Sequence, residues 1–344
     1  MTTTLTLGEV ETLSRRMLIA SGASALQADA TARSIRDAEA EGIRTVGLAY
    51  LPIYCDHLAC GKVNGDAVTV VSSSRPGTIV VDAGLGFCHP AYEAGEELLI
   101  TAARANGIAM LAVVHSYSAG VLGWFVDRLA RVGLVAIMFA YSSASVAPHG
   151  GTRPFFGTNP IAWAAPRRSG PPVVADLSSS AVARVKVNAA AVAGEAIPLG
   201  WAFDSDGRPT TDANAALAGS LAPAAEHKGS ALALLVDIMA GGIAASNFSH
   251  EAGSFGGTTD GPPDVGQVVL AIDPTSTMGD GYIDRFETEF VALAAEPGVR
   301  LPGDRRIDER SRAQLAGIDV PDDLMATLTS YAEHGSPVRP AGRS

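Results

Sequence analysis

Cysteine is scarce in this sequence of 344 residues. The three present, Cys55, Cys60 and Cys88, make no disulfide framework, and their odd number fits a reducing compartment, so a cytoplasmic protein is expected. Cys55, His57, Cys60, Cys88 and His89 match no ordinary zinc spacing, and no metal is expected. Basic residues are also in short supply: Lys and Arg number 25 against 36 Asp and Glu, a net charge of -11. A surface this acidic suits neither a phosphate backbone nor an anionic membrane, which leaves small molecules as the expected partners. No apolar run of about 20 residues is free of charge, so no membrane span is expected. Ser14-Arg15-Arg16 mimics a twin-arginine export signal, but Ser21, Gly22 and Ser24 break the apolar run behind it, and Leu7 to Ala20 reads instead as an amphipathic first helix.

Two familiar loops are incomplete. Gly84-Leu85-Gly86 lacks the third glycine of a dinucleotide-binding fingerprint and runs on into Phe-Cys-His-Pro. Asp204-Ser205-Asp206-Gly207 lacks the later ligands and closing glutamate of a calcium loop, so it reads as a hydrogen-bonded turn. What remains is the composition of a globular enzyme, 47% hydrophobic and 18% charged, with 37 glycines for tight turns and close packing. The length allows two lobes, or one large domain with an added helical layer.

Periodicity and turn residues predict helices over 9–21, 25–41, 47–60, 91–106, 120–132, 181–193, 228–245, 285–294 and 321–334. The helix over 228–245 is expected to be buried. Strands are expected over 68–71, 78–82, 108–114, 134–140 and 268–273, and the last ten residues should fray. Hairpin-like and helix-separated intervals alternate, which predicts an α+β fold with a mixed or largely antiparallel sheet.

The richest stretch runs from Val113 to Ser179, where short apolar strands end in polar, glycine-rich turns. His115-Ser116-Tyr117-Ser118-Ala119, Gly157-Thr158-Asn159-Pro160 and Asp176-Leu177-Ser178-Ser179 are the turns that stand out. Backbone donors and hydroxyls at the start of a helix, as after Ser116, suit a pyrophosphate. Asp176 has the chemistry to accept from a ribose hydroxyl pair. Arg300, Arg305 and Arg306 form the tight arginine group of the acidic second half, and planar guanidiniums suit a 2′-phosphate, favouring NADPH over NADH. Taken singly, His115 would ordinarily be a hydrogen-bonded strand-end histidine, and Arg305-Arg306 a solvated face.

Together with VAPHGG, IPLGWAFDSDGRPTTD, HKG and RLPGDRR, these turns resemble the second type of malate/L-lactate dehydrogenase family, a non-Rossmann group that includes cyclic ketimine reductases. The resemblance implies an NAD(P)H-dependent homodimer. It divides the chain into 1–75 and 76–114 of a substrate and dimerisation domain, 115–265 as the NADP-binding domain, and 266–344 returning to the first. It also implies cofactor contacts at His115, Ser116, Tyr117, Ser118, Ala119, Asp176, Leu177, Ser178, His227, Lys228, Arg300, Arg305 and Arg306, with Thr158 near the substrate.

The family's Ser-His-Gly-x-x-Arg is altered here. Thr45 stands for the serine, Val46 for the proton-donating histidine, Tyr50 for the carboxylate-clamping arginine, and Lys186 for a relay aspartate. Valine cannot donate a proton. Loss of the arginine implies a substrate without a free α-carboxylate at that spot. Tyr50 and Tyr54 are four apart on one helix face, and a lysine beside a phenol lowers its pKa, which makes Lys186 and Tyr50, with His115, the candidate acids and Arg184 a pocket neighbour. The expectation is an NADPH-dependent reductase of a C=N or C=O bond in a non-standard substrate of specialised biosynthesis. The alternatives are a cofactor-binding protein without redox chemistry and a 2-hydroxyacid dehydrogenase using His115.

Overall fold

A computed structural model describes residues 2–338 of the chain. In order, the elements are β1 (Thr2–Leu5), α1 (Leu7–Ala20), α2 (Ala25–Ala40), α3 (Leu51–Cys60), β2 (Val70–Arg75), β3 (Thr78–Asp82), α4 (Cys88–Asn106), β4 (Ile108–Ser116), α5 (Gly123–Arg131), β5 (Val135–Ala140), β6 (Ile161–Ala165), β7 (Val173–Leu177) and α6 (Arg184–Ala193). Then come β8 (Ala202–Phe203), β9 (Pro209–Thr210), α7 (Ala213–Ala218), β10 (Ser220–Leu221), α8 (His227–Val236), β11 (Val265–Ile272), α9 (Thr275–Met278), α10 (Tyr282–Ala294), α11 (Asp304–Ala316), β12 (Ile318–Pro321) and α12 (Asp322–His334).

The local causes are visible in the sequence. Thr6 and Glu9 cap α1 reciprocally, and the Ser24 hydroxyl accepts from Gln27 N at the start of α2. Gly61 and Gly107 end α3 and α4 in the left-handed conformation that favours glycine.

Seven strands form one sheet in the order β2-β3-β4-β11-β5-β6-β7. Among the described strands of this sheet only β3 and β4 pair in parallel and the rest are antiparallel, so the mixed sheet flanked by helices is as expected. β4 crosses the expected boundary at 114/115 and β11 the one at 265/266, and the one sheet takes strands from all four expected divisions. On one face α4 and α5 bury Leu99, Phe125 and Leu129 against Leu111, Met138 and Val269. A second core joins α1, α2, α3 and α12 around Met17, Leu51 and Tyr54. A third lies within 146–233 around Val146, Phe156 and Val187.

Some expectations need correction. The 47–60 helix is a 3₁₀ turn (Arg44–Val46) followed by α3, with Tyr50 at its N-cap. The helix expected over 228–245 divides into α8 and a π-helix (Asp237–Ile243), and it is not buried throughout: Leu232, Leu235, Ile238 and Ile243 are exposed. Of the arginine group, Arg305 and Arg306 lie in the first turn of α11, which starts at Asp304. Of the ten terminal residues expected to fray, 339–344 lie outside the described residues. Among the described residues no helix is long and apolar enough to cross a membrane.

Candidate active site

The turn after β4 is built from both sides. His115, exposed and at φ +48°, has its Nδ1 3.2 Å from Asp82 Oδ2 at the end of β3. Its carbonyl accepts from Leu85 N at 2.7 Å. Ser116 and Tyr117 are buried, and Gln267 Nε2 of β11 donates to the Tyr117 carbonyl at 3.0 Å. Gly120, at φ +63°, turns the chain toward α5; a Cβ there would lie 3.5 Å from the Tyr54 hydroxyl.

The altered segment meets this turn. Tyr50 packs edge-on to Tyr54 at 5.0 Å, and Tyr54 in turn to Tyr117 at 5.9 Å. Burial pushes the phenols of Tyr50, Tyr54 and Tyr117 above their ordinary value of 10.0; for Tyr54 this prevails over the opposing pull of the Ser118 hydroxyl. All three therefore stay protonated at neutral pH. Thr45 and Val46 sit on the 3₁₀ turn, Thr45 exposed and Val46 half-buried. That turn is held by the buried Glu39, whose Oε1 accepts from Leu48 N at 2.7 Å in space left by Gly47. Burial raises the Glu39 pKa.

The second turn and the third close on each other. The Thr158 carbonyl accepts from Ser178 Oγ at 3.0 Å and from Ser179 N at 2.9 Å. The Ser179 carbonyl accepts from Ala224 N, and Ala225 and Glu226, both at positive φ, swing the exposed His227 and Lys228 into place at the start of α8. Asn159 is fully buried at φ +41°, and its Nδ2 donates to Asp237 Oδ1 at 2.9 Å.

One oxygen of Asp176 is engaged within the chain. Its Oδ2 accepts from Gly123 N at 3.0 Å, capping α5, and lies 3.6 Å from Arg306 Nη2. Leu177 and Ser178 beside it are exposed. Arg306 Nη1 is buried without a hydrogen-bond partner and faces Gly123, where any Cβ would collide with it. A cavity of about 350 Å³ opens here, lined among others by Arg131, Arg306 and Arg310. Arg300 and Arg305 are exposed.

The expected Lys186–Tyr50 pair is not brought together. Lys186 is exposed on α6, whose Val187 belongs to the third core, whereas Tyr50 packs on the second. Accordingly the Tyr50 phenol is raised by burial and not lowered by a lysine. Arg184 Nη2 donates to the Leu217 carbonyl at 3.3 Å, a link within the same third unit. Sequence reasoning took His57, which accepts from the Tyr117 hydroxyl, and His89, beneath Gly120, only as members of an incomplete metal set. His57 lies three residues after Tyr54 on one helix face, which was the available signal. Among the described residues no group of three or more His, Cys, Asp or Glu could hold a metal ion.

The family model for malate/L-lactate dehydrogenase matches residues 5–329. The chain belongs to the malate/L-lactate dehydrogenase family. It is 44% identical over 329 residues to a (2R)-3-sulfolactate dehydrogenase (NADP(+)) of Chromohalobacter salexigens, covering 95% of this chain and 98% of that one. It is 39% identical over 336 residues to a Δ1-pyrroline-2-carboxylate reductase of Ancylobacter novellus, covering 96% and 98%. The crystal structure of Δ1-piperideine-2-carboxylate reductase from Pseudomonas syringae pv. tomato superimposes with a TM-score of 0.91 at 38% identity, covering 96% of this chain and 99% of that one. The expected family, its fold and the oxidoreductase class are thereby met.

Proposed function

We propose that this chain is an NADPH-linked reductase of a C=N or C=O bond in a small, non-standard substrate, working as a cytoplasmic homodimer in specialised biosynthesis. The observation that carries the reading is the junction of two features. The turns expected to hold the nucleotide converge around Gly120, Gly123 and Ser178, and a cluster of protonated phenols, Tyr50, Tyr54 and Tyr117, stands at the altered segment. NADPH is favoured by Arg306 Nη1, buried without a hydrogen bond, with Arg300 and Arg305 nearby in the chain, and by the NADP(+) in the name of the sulfolactate dehydrogenase relative. His227 and Lys228 beside the Ser178 turn would complete its binding, with Thr158 on the substrate side.

Bound NADPH would supply hydride to the electrophilic carbon. The chain's own part is to orient the substrate and handle charge. A phenol held above its ordinary pKa is a weak acid but still a hydrogen-bond donor, so Tyr50 and Tyr54 polarise the bond being reduced without needing to surrender a proton, while the Tyr117 hydroxyl is engaged by His57. An imine that arrives protonated needs nothing more, which favours C=N substrates.

A second reading has an observation of its own. The 44% identity to a sulfolactate dehydrogenase favours a 2-oxo acid carrying a second anionic group, with His115 as the acid candidate. Both readings are tested by following NADPH loss with cyclic imine carboxylates, their amides, and 2-oxo acids including 3-sulfopyruvate. Turnover confined to imines or amides supports the first, and turnover confined to 2-oxo acids supports the second. Tight NADPH binding without turnover of any of them counts against both.

A further inference from the structure

His89 is the second residue of α4 and is 1% exposed, yet neither ring nitrogen has a hydrogen-bond partner. Buried polar atoms in folded proteins are almost always paired, so two orphan nitrogens on one ring call for an occupant. The ring is held in place from its apolar side, stacked on Phe125 at 5.2 Å and edge-on to Trp124 at 5.4 Å, and Trp124 is pinned by its indole donating to Asp37. The Ala119 backbone lies near enough to favour the charged ring but does not reach hydrogen-bond geometry. The polar edge points at Gly120, where the place of a missing Cβ is 4.0 Å from His89 Nε2 and 3.5 Å from the Tyr54 hydroxyl. Two buried polar groups from α3 and α4 thus flank the place that a side chain at position 120 would take, and glycine leaves that place open.

Resting on the reductase reading above, we infer that His89 and Tyr54 together receive the polar atom of the bond being reduced, carbonyl oxygen or imine nitrogen, over Gly120. Burial supports this by depressing the His89 pKa to about 3, and the positive end of α4 acts in the same sense. The ring is therefore a neutral donor, able to stabilise developing negative charge without carrying a full charge of its own.

The test uses the full-length protein and whichever C=N or C=O substrate the wild type reduces. His89→Phe should lower kcat by about 100-fold, the usual loss for one donor to a developing charge, with the Kd for NADPH within about twofold of wild type. His89→Gln, which restores an N–H at similar reach, should recover at least about tenfold of that loss. Tyr54→Phe, which removes one oxygen and keeps the packing, is the second variant should His89→Phe fail to fold, and it should lower kcat while sparing NADPH binding. A folded His89→Phe at the wild-type rate, or full activity in both His89→Gln and Tyr54→Phe, overturns the inference. A wild type that binds NADPH and reduces nothing overturns the parent reading as well, and is recognised by its own zero rate.

Discussion

The Tyr117 hydroxyl donates to Nδ1 of His57, and both side chains are fully buried. The other ring nitrogen of His57 lies 3.0 Å from the Gly257 carbonyl, so the proton belongs on Nε2 and the neutral ring satisfies both neighbours. Lys62, also buried, donates to the carbonyls of Ser254 and Gly256 at 2.9 and 3.2 Å, and Phe255 packs on Tyr117 at 5.3 Å. The end of α3 therefore fastens the glycine-rich segment 254–257 against the turn at the end of β4. The tyrosine cluster and that segment share one support.

Removing the hydroxyl isolates this support. Tyr117→Phe leaves His57 Nδ1 buried without a donor and should cost about 1–3 kcal/mol of stability, read from urea denaturation. Amide exchange at 254–258 should accelerate more than at β4. Unchanged stability and exchange would show that the pair contributes nothing.

The two buried histidines also set a pH dependence. Burial depresses His89, to about 3, and His57, for which the charge of Lys62 adds to the effect, from the ordinary 6.5. The unfolded chain takes up those protons first, so stability is full above 6.5 and declines as pH falls below it. Glu39, Glu41 and Asp237 are raised by burial and work in the opposite sense, gaining stability as they protonate at lower pH. Comparing wild type with His89→Gln cancels these carboxylates. On acidification to about pH 5 the wild type should lose about 2 kcal/mol more than the variant.

At the arginine turn the two neighbours should behave differently. Arg305 is exposed, and Arg305→Ala should raise the KM for NADPH by about tenfold while leaving that for NADH unchanged, the signature of a 2′-phosphate contact. Arg306 lies 3.6 Å from Asp176 and 3.8 Å from Glu41, so Arg306→Ala leaves two part-buried carboxylates facing each other and should lower thermal stability. Equal effects of Arg305→Ala on both nucleotides would remove the case for NADPH specificity at this residue.

The elements that were legible in the sequence carry their own local signals. α1 and α2 have capping residues and an apolar stripe, and β3, β4 and β5 are apolar runs bounded by glycine or charge. α11 has no such stripe. Its Arg310 docks on Asp37 and Glu41 of the α2 end, so ion pairs with a remote segment supply part of its contact and periodicity gives no warning. The pairing of β1 with β12, and the place of β11 between β4 and β5, are decided by contacts between distant segments. For the site, the glycine-rich turns were visible because their chemistry is local. His89 was not, because Phe87 at the N-cap of α4 offers no side-chain cap, and the expected start at Ala91 left His89 in a loop.

The exposed face of α8 and the π-helix bears on assembly. Leu232, Leu235, Ile238 and Ile243 are each 40–49% exposed within one stretch, an apolar surface of the kind that a second copy covers. Leu235→Asp with Ile238→Asp should shift light-scattering mass from dimer to monomer. A wild type that is monomeric at micromolar concentration ends the homodimer proposal.

Tyr50 and Lys186 carry the last prediction, because they separate what the altered segment does from what it was expected to do. With Lys186 exposed on α6 and not beside the phenol, Lys186→Met should change kcat by less than about twofold, as surface substitutions generally do. Tyr50→Phe removes a protonated donor from the tyrosine cluster and should lower kcat by about two- to tenfold, the worth of one ordinary hydrogen bond. Tyr50→Arg puts a guanidinium at the position where the family resemblance implies a carboxylate clamp, and should lower the KM for substrates with a free 2-carboxylate relative to their amides. A large loss in Lys186→Met would mean that the lysine serves the pocket of a second copy. Failure of Tyr50→Arg to favour carboxylates would mean that the substrate's acid group, where it has one, is bound elsewhere in the pocket.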